Sequence, residues 1–190
     1  MNYIDVLNKI LDTKDFTVGG GSASAIAGAM AAGLIGMVSR LSTKKDYGLS
    51  ERGYLFIADR AEELSKKLLE GAVKDTESFK KIKDAYALPK DTDEEKKIRS
   101  LAIQNAAIGA ANVPLENGLL CKEVYNSWVL LKGKSNPNAS SDLEEARFLV
   151  HAGVLGCVLN IEANLPLIKD ENVKENFQKE IELLKKYSEE

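Results

Sequence analysis

A carboxylate in the middle of an apolar helical face is the first residue in this sequence equipped for chemistry. Tyr54, Ile57, Ala61, Leu64, Leu68, Ala72, Asp75, Phe79, Ile82 and Tyr86 recur at steps of three or four, one slowly drifting face of a helix. A buried carboxylate is costly unless it is hydrogen-bonded or paired, so Asp75 needs either a structural ion pair or a function. Gly19-Gly20-Gly21-Ser22, followed by Ser24, opens a helix of small residues. Glycines admit close backbone approach and positive φ, and the free N–H groups at a helix start attract an anion or an electron-rich oxygen. The stretch therefore reads as a ligand cradle or as a turn with an N-cap. It is no P-loop, because no Gly-Lys-Ser/Thr follows, and no dinucleotide fingerprint, because no strand precedes it. A third polar cluster, Ser135-Asn136-Pro137-Asn138-Ala139-Ser140, leads into Ser141-Asp142. Its turn formers and hydrogen-bonding side chains suit a ligand, while Asp142 in a first helical turn is also what the helix dipole alone favours. Asn160 and Asn164, four residues apart, suit a polar inter-helix contact or a ligand-facing pair.

What is missing narrows the chemistry. His151 is the sole histidine, so a multi-histidine zinc or iron site is excluded and acid–base work falls to Asp, Glu, Lys, Tyr or Cys. His151 itself, within Phe148-Leu149-Val150-His151-Ala152-Gly153, reads as a packed helix residue. Cys121 and Cys157 form no CxxC.

These residues must be positioned by helices, since apolar residues recur at three- and four-residue steps and no β-branched alternation occurs. The pattern predicts an all-α chain: a short helix over Tyr3 to Leu11, a loop through Gly21, and a small-residue helix from Ser22 to about Leu41. A long helix follows from about Ser50 to Ala87. The next runs from Thr92, where Glu95 completes a capping box, to near Gly133. Pro114 cannot donate to the Ala110 carbonyl, so a kink or break is expected over Gly109 to Val113. A further helix from Ser141, with Glu144 completing a second capping box, reaches about Leu165, and a charged helix ends the chain. No linker and no repeat divides it, which predicts one domain over residues 1–190, a single helical bundle with long central helices.

Composition sets the outer limits. A 190-residue chain, 44% hydrophobic and 29% charged, can bury a core and is neither disordered nor a disulfide scaffold. The net charge of −3 gives no basic surface for nucleic acid. The residues from Val18 to Ser39 are uncharged, but eleven of the fifteen from Ser22 to Gly36 are Gly, Ala or Ser, which favours a buried central helix and an oligomer contact over a membrane span. The first residues lack a secretory signal, so the expected location is cytoplasmic.

Gly19-Gly20-Gly21-Ser22-Ala23-Ser24-Ala25 before a small-residue helix resembles the cyclodeaminase/cyclohydrolase family of folate one-carbon enzymes. Lys74-Asp75 with Phe79 and Ala87-Leu88-Pro89-Lys90 resembles its second motif, and Val113-Pro114-Leu115 its third. Asn136-Pro137-Asn138-Ala139-Ser140-Ser141-Asp142 and Asn160 to Pro166 complete the order over nearly the whole chain. The resemblance implies an all-helical homodimer that acts on tetrahydrofolate derivatives. It would either hydrolyse 5,10-methenyltetrahydrofolate to 10-formyltetrahydrofolate or cyclise 5-formiminotetrahydrofolate with loss of ammonia. Asp75 and Asp142 would then be the catalytic carboxylates. Gly19, Gly20, Gly21, Ser22, Ser24, Asn136 and Asn138 would bind the substrate, with no metal and no cofactor beyond the folate substrate itself. A chain without a formiminotransferase domain favours the cyclohydrolase. A non-catalytic helical oligomer or folate-binding protein is the reading from another class.

Overall fold

Helices approach most closely where their side chains are smallest, and that decides which helix occupies the centre. The computed structural model describes residues 1–187, which form six α-helices and, among the described residues, no strand. They are α1 (Tyr3–Leu11), α2 (Gly20–Leu41), α3 (Glu51–Tyr86), α4 (Asp93–Leu131), α5 (Ser140–Asn164) and α6 (Glu171–Lys185). The small-residue helix α2 lies against α3 and α5, with α4 behind it. A Cβ added to Gly28 would come within 2.5 Å of Cys121 Sγ, and one on Gly156 within 2.0 Å of Ser24 Oγ. A Cβ on Gly153 would stand 3.1 Å from the Ser24 carbonyl. The pairs Ser24–Gly156 and Gly28–Gly153 also establish that α2 and α5 run antiparallel.

Large apolar side chains fill the space these contacts leave. Leu64 and Leu68 of α3, Val124 and Leu131 of α4, and Val150, Val154 and Ile161 of α5 are fully buried, and Phe177, Ile181 and Leu184 bring α6 onto the same core. Tyr54, also fully buried, keeps its hydroxyl satisfied by donating to the Lys134 carbonyl at 2.6 Å. The capping box at Thr92 forms, with Glu95 N donating to Thr92 Oγ1 and Thr92 N donating to Glu95 Oε2.

Three local expectations are corrected. The loop glycines take no positive φ, which among the described residues occurs only at Gly48 and Gly133. Instead Gly19 is the extended N-cap and Gly20 and Gly21 already belong to the first turn of α2. Pro114 does not break α4, which is helical from Asp93 to Leu131. The second capping box is absent because the 3-10 turn Pro137–Ala139 runs directly into α5, so the helix starts at Ser140, before Ser141 could cap it. Glu144 pairs with Arg147 at 3.0 Å instead.

One face of the bundle is left apolar. Phe148, Ala152, Leu155 and Leu159 form an exposed stripe along α5, and Met30 and Met37 are exposed on α2. Helical spacing places both stripes on the same outer side of the α2–α5 pair. Both helices are long and apolar enough to cross a membrane by length and composition, but α2 is mostly enclosed by its neighbours.

The packing generates a paired prediction. Gly28→Ala puts a methyl group into Cys121 and Leu68, so overpacking should cost about 1–3 kcal/mol and lower Tm by several degrees. Gly33→Ala, with open space around the new methyl, should raise Tm slightly through helix propensity. Equal Tm values for the two variants in scanning calorimetry would contradict the close approach.

Candidate active site

The start of α2, the middle of α3 and the end of α5 meet in a cleft of about 170 Å³. Its floor is the carboxyl group of Asp75, placed against the first turn of α2 because position 21 has no side chain. A Cβ there would stand 2.3 Å from Asp75 Oδ1 and 2.6 Å from Cγ. Ser22 holds the carboxylate from behind, its Oγ lying 2.9 Å from Asp75 Oδ2, 3.0 Å from the Ala72 carbonyl and 3.1 Å from Thr76 Oγ1. The hydroxyl has one proton to donate. Thr76 Oγ1 lies 3.3 Å from the same Ala72 carbonyl, which frees the Ser22 proton for the carboxylate.

No ion pair reaches Asp75 among the described residues, so the charge is not balanced by a cation. Burial pushes its carboxyl above the usual carboxylate range, opposed in part by the Ser22 hydroxyl and backbone N–H at the positive end of α2. The charge extends its influence into the core. The buried Cys157 thiol is pushed up by its contact with Cys121, by burial and by the field of Asp75, and both cysteines are buried and free of a disulfide.

The other walls are set by α5, α4 and the loop before α2. Asn160 Nδ2 donates to the Gly156 carbonyl at 2.7 Å, and Asn164 Nδ2 donates to the Asn160 carbonyl at 2.8 Å and reaches the Ala110 carbonyl at 3.4 Å. With their amide nitrogens committed to backbone, both side chains keep their oxygens as acceptors. Phe16 and Phe79 add aromatic surface at the mouth, 82% and 43% exposed respectively. The arrangement is rich in acceptors and centred on one desolvated carboxylate. It suits a flat ligand that brings N–H donors and positive charge.

Gly19, Gly20, Gly21 and Asp75 thus line one cleft, with Ser22 directly behind the carboxylate. Ser24 does not line it. Its hydroxyl donates to the Gly20 carbonyl at 2.6 Å and packs toward Gly156. Asn136, Asn138 and Asp142 are at the opposite end of the bundle. Asn136 N donates to Ser42 Oγ at 2.9 Å, Asn138 N donates to Asn136 Oδ1 at 3.0 Å, and Asp142 lies eighteen residues before Asn160, about 27 Å along α5. His151 faces Tyr125, ring centroids 5.7 Å apart, and burial lowers its pKa, with Arg147 adding to the effect. The cleft also takes in Phe16, Thr17, Val18, Thr76, Ser78, Phe79 and Ala110, which sequence reasoning did not assign to a site, and Asn160 and Asn164, for which it left a ligand-facing pair and an inter-helix contact both open.

Comparison with known proteins places the chain. The Formiminotransferase-cyclodeaminase family model matches residues 4–183. The chain belongs to this family. It is 37% identical to the methenyltetrahydrofolate cyclohydrolase of Methylorubrum extorquens over 87% of this chain and 80% of that protein. It is 30% identical to the pig formimidoyltransferase-cyclodeaminase over 87% of this chain but 31% of the animal protein. The crystal structure of the formiminotetrahydrofolate cyclodeaminase of Thermotoga maritima superposes with a TM-score of 0.83 at 31% identity, covering 96% of this chain and 88% of that one.

Within a family fold of this kind, the state of the Asp75 carboxyl makes a testable claim about stability. Its raised pKa means that the folded chain binds the proton more tightly than the unfolded one. Stability therefore falls as pH rises from the ordinary value of 3.8 through the folded pKa, and the penalty of the ionised group is complete above it. Asp75→Asn should melt at the same or a higher temperature than the parent at pH 7, with the gap closing on acidification toward pH 4. A markedly lower Tm for the variant at pH 7 would mean that the charge is structural.

Proposed function

We propose that the cleft hydrolyses 5,10-methenyltetrahydrofolate to 10-formyltetrahydrofolate, with Asp75 as the group that moves the proton. The observation that carries this is an unpaired, desolvated carboxylate in an acceptor-rich cleft, in a chain whose cyclohydrolase relative is similar over most of both lengths. The substrate is a cation with its charge spread over N5, the bridging carbon and N10. Asp75 faces that carbon and takes a proton from water as its oxygen bonds there, giving a neutral tetrahedral adduct. The carbon–N5 bond then breaks as Asp75 returns the proton to N5. The hydroxyl of the adduct loses its proton to solvent and becomes the formyl carbonyl on N10. One water is consumed and one proton released, with no electron transferred and no step that calls for a metal or a second cofactor.

Cyclisation of 5-formiminotetrahydrofolate is the second reading, supported by the animal relatives and the Thermotoga maritima enzyme. There N10 adds to the formimino carbon and ammonia leaves, and the same carboxylate serves the proton transfers. The two free, buried thiols suit the cytoplasm as the site of either reaction.

The apolar α2–α5 face supports a homodimer as part of this reading. The stripe of Phe148, Ala152, Leu155 and Leu159 carries no charge and is centred near the middle of α5, so a twofold axis there would seat it on its own copy with the helices antiparallel. Such pairing would bring the first turn of the partner's α5, with the partner's Asp142, to the Asn160–Asn164 end. It is the arrangement in which Asp142 and Asp75 both serve one cleft.

Purified protein given methenyltetrahydrofolate should abolish its absorbance far faster than buffer, with the rate unchanged by a chelator. Asp75→Asn should reduce kcat by about 100-fold or more with its fold intact. Conversion of formiminotetrahydrofolate alone would establish the cyclodeaminase, and activity on neither would return the chain to a non-catalytic role. For the assembly, light scattering should give a dimer for the parent and a monomer for Leu155→Glu. A dimer that survives this substitution would place the interface elsewhere.

A further inference from the structure

Pro114 is buried in the interior of α4, where proline is among the least favourable residues a helix can hold, yet the helix continues through it. Its ring removes the N–H that would bond the Ala110 carbonyl and crowds that oxygen away from the helix axis. The Ala110 carbonyl is consequently a position on α4 where backbone capacity is released next to the cleft. Asn164 Nδ2 reaches it at 3.4 Å while also donating to the Asn160 carbonyl at 2.8 Å, and Ala110 and Asn164 both line the cleft that holds Asp75. A carbonyl oxygen has two lone pairs, and one long, shared contact leaves it able to accept again.

We propose that Pro114 is a positioning residue, which converts the Ala110 carbonyl into an acceptor for the 2-amino group on the donor edge of a pterin. The inference rests on the folate reading of the cleft. It assigns the work within that cleft: Asp75 faces the carbon that reacts, and the Ala110 carbonyl, held by Asn164, reads the neutral N–H edge of the ring system. An N–H restored at position 114 would close the helical hydrogen bond and withdraw the acceptor. The residue that weakens the helix is therefore the one that supplies the contact, and stability and substrate affinity must change in opposite directions when it is replaced.

The experiment compares the full-length parent with Pro114→Ala and Pro114→Gly, both of which restore the N–H while differing in helix propensity. Pro114→Ala should raise Tm. KM for methenyltetrahydrofolate should rise about five- to tenfold in both variants, the scale of one hydrogen bond, with kcat within about twofold of the parent. Inhibition by tetrahydropterin should weaken by a similar factor in both variants, whereas its 2-desamino counterpart should inhibit all three proteins equally. A raised Tm with unchanged KM would overturn the proposal. So would a fall in kcat and Tm together in both variants, which would make Pro114 structural, or a 2-desamino compound that discriminates among the proteins as tetrahydropterin does. If the parent acts on neither folate, the folate reading fails and this inference fails with it; an active parent with indifferent variants removes this inference alone.

Discussion

The missing side chain at position 21 is the constraint on which the rest of the cleft depends. The Asp75 carboxyl occupies the volume that a Cβ would take, and so a helix start and the middle of another helix can touch through a carboxylate instead of through apolar bulk. The same economy of volume is repeated farther down the bundle, where Gly28 of α2 receives Cys121 and Gly153 and Gly156 of α5 receive the backbone and Ser24 of α2. Interiors packed at crystalline density transmit such distances without slack. Once α2 is set against α3 and α5, the Gly19–Gly21 turn, Asp75, Ala110 and Asn160 converge with no further adjustment.

That convergence also sets the electrostatics. Removing Asp75 from water raises the free energy of its charged form, and the groups that offset this among the described residues are the Ser22 hydroxyl and the Ser22 backbone N–H at the start of α2. Dipoles hold the charge without neutralising it. An arginine or lysine in their place would have lowered the carboxyl's proton affinity and cancelled its attraction for a cation. The side-chain amides of Asn160 and Asn164 act in the same sense, since their nitrogens are tied to backbone carbonyls and their oxygens are left as acceptors.

The sequence made the periodic part of this arrangement legible. Asp75 stands out because the ten-residue seam around it is otherwise uncharged, and helical order and the Thr92 capping box follow from spacing alone. The glycine run was readable as a place of close approach. That the approach is made by Asp75 against a first helical turn, and not by a positive-φ loop, depends on a contact between residues fifty-four apart. Ser22 and Ser24 are two positions apart on a helix and point to opposite sides, so only one of them can face Asp75; the other packs on α5. Asp142 and Asn136 share a chain segment with Asn160 but are separated from it by most of the length of α5, a separation that composition and turn chemistry do not express. Phe16 belongs to no periodic pattern at all. Pro114 was readable as a released carbonyl, whereas the identity of the group that reaches that carbonyl required the packing of α5 on α4.

The charge of the reacting species distinguishes the two folate reactions more sharply than the proton transfers do. Cyclisation with loss of ammonia begins from a protonated formimino group and ends with the methenyl cation, so the ligand facing Asp75 is positive throughout. Hydrolysis begins from the methenyl cation and ends with a neutral formamide. At ~4 Å and an effective dielectric constant near 20, the attraction between unit charges is about 4 kcal/mol, and hydrolysis alone removes it as product forms. A carboxylate held only by dipoles would therefore bind the methenyl substrate and weaken its hold as the product loses its charge. For cyclisation the same carboxylate would retain a cationic product with the strength with which it bound the substrate. The absence of a balancing cation beside Asp75 thus favours hydrolysis, because only there does the site's principal attraction distinguish the compound that enters from the compound that must leave.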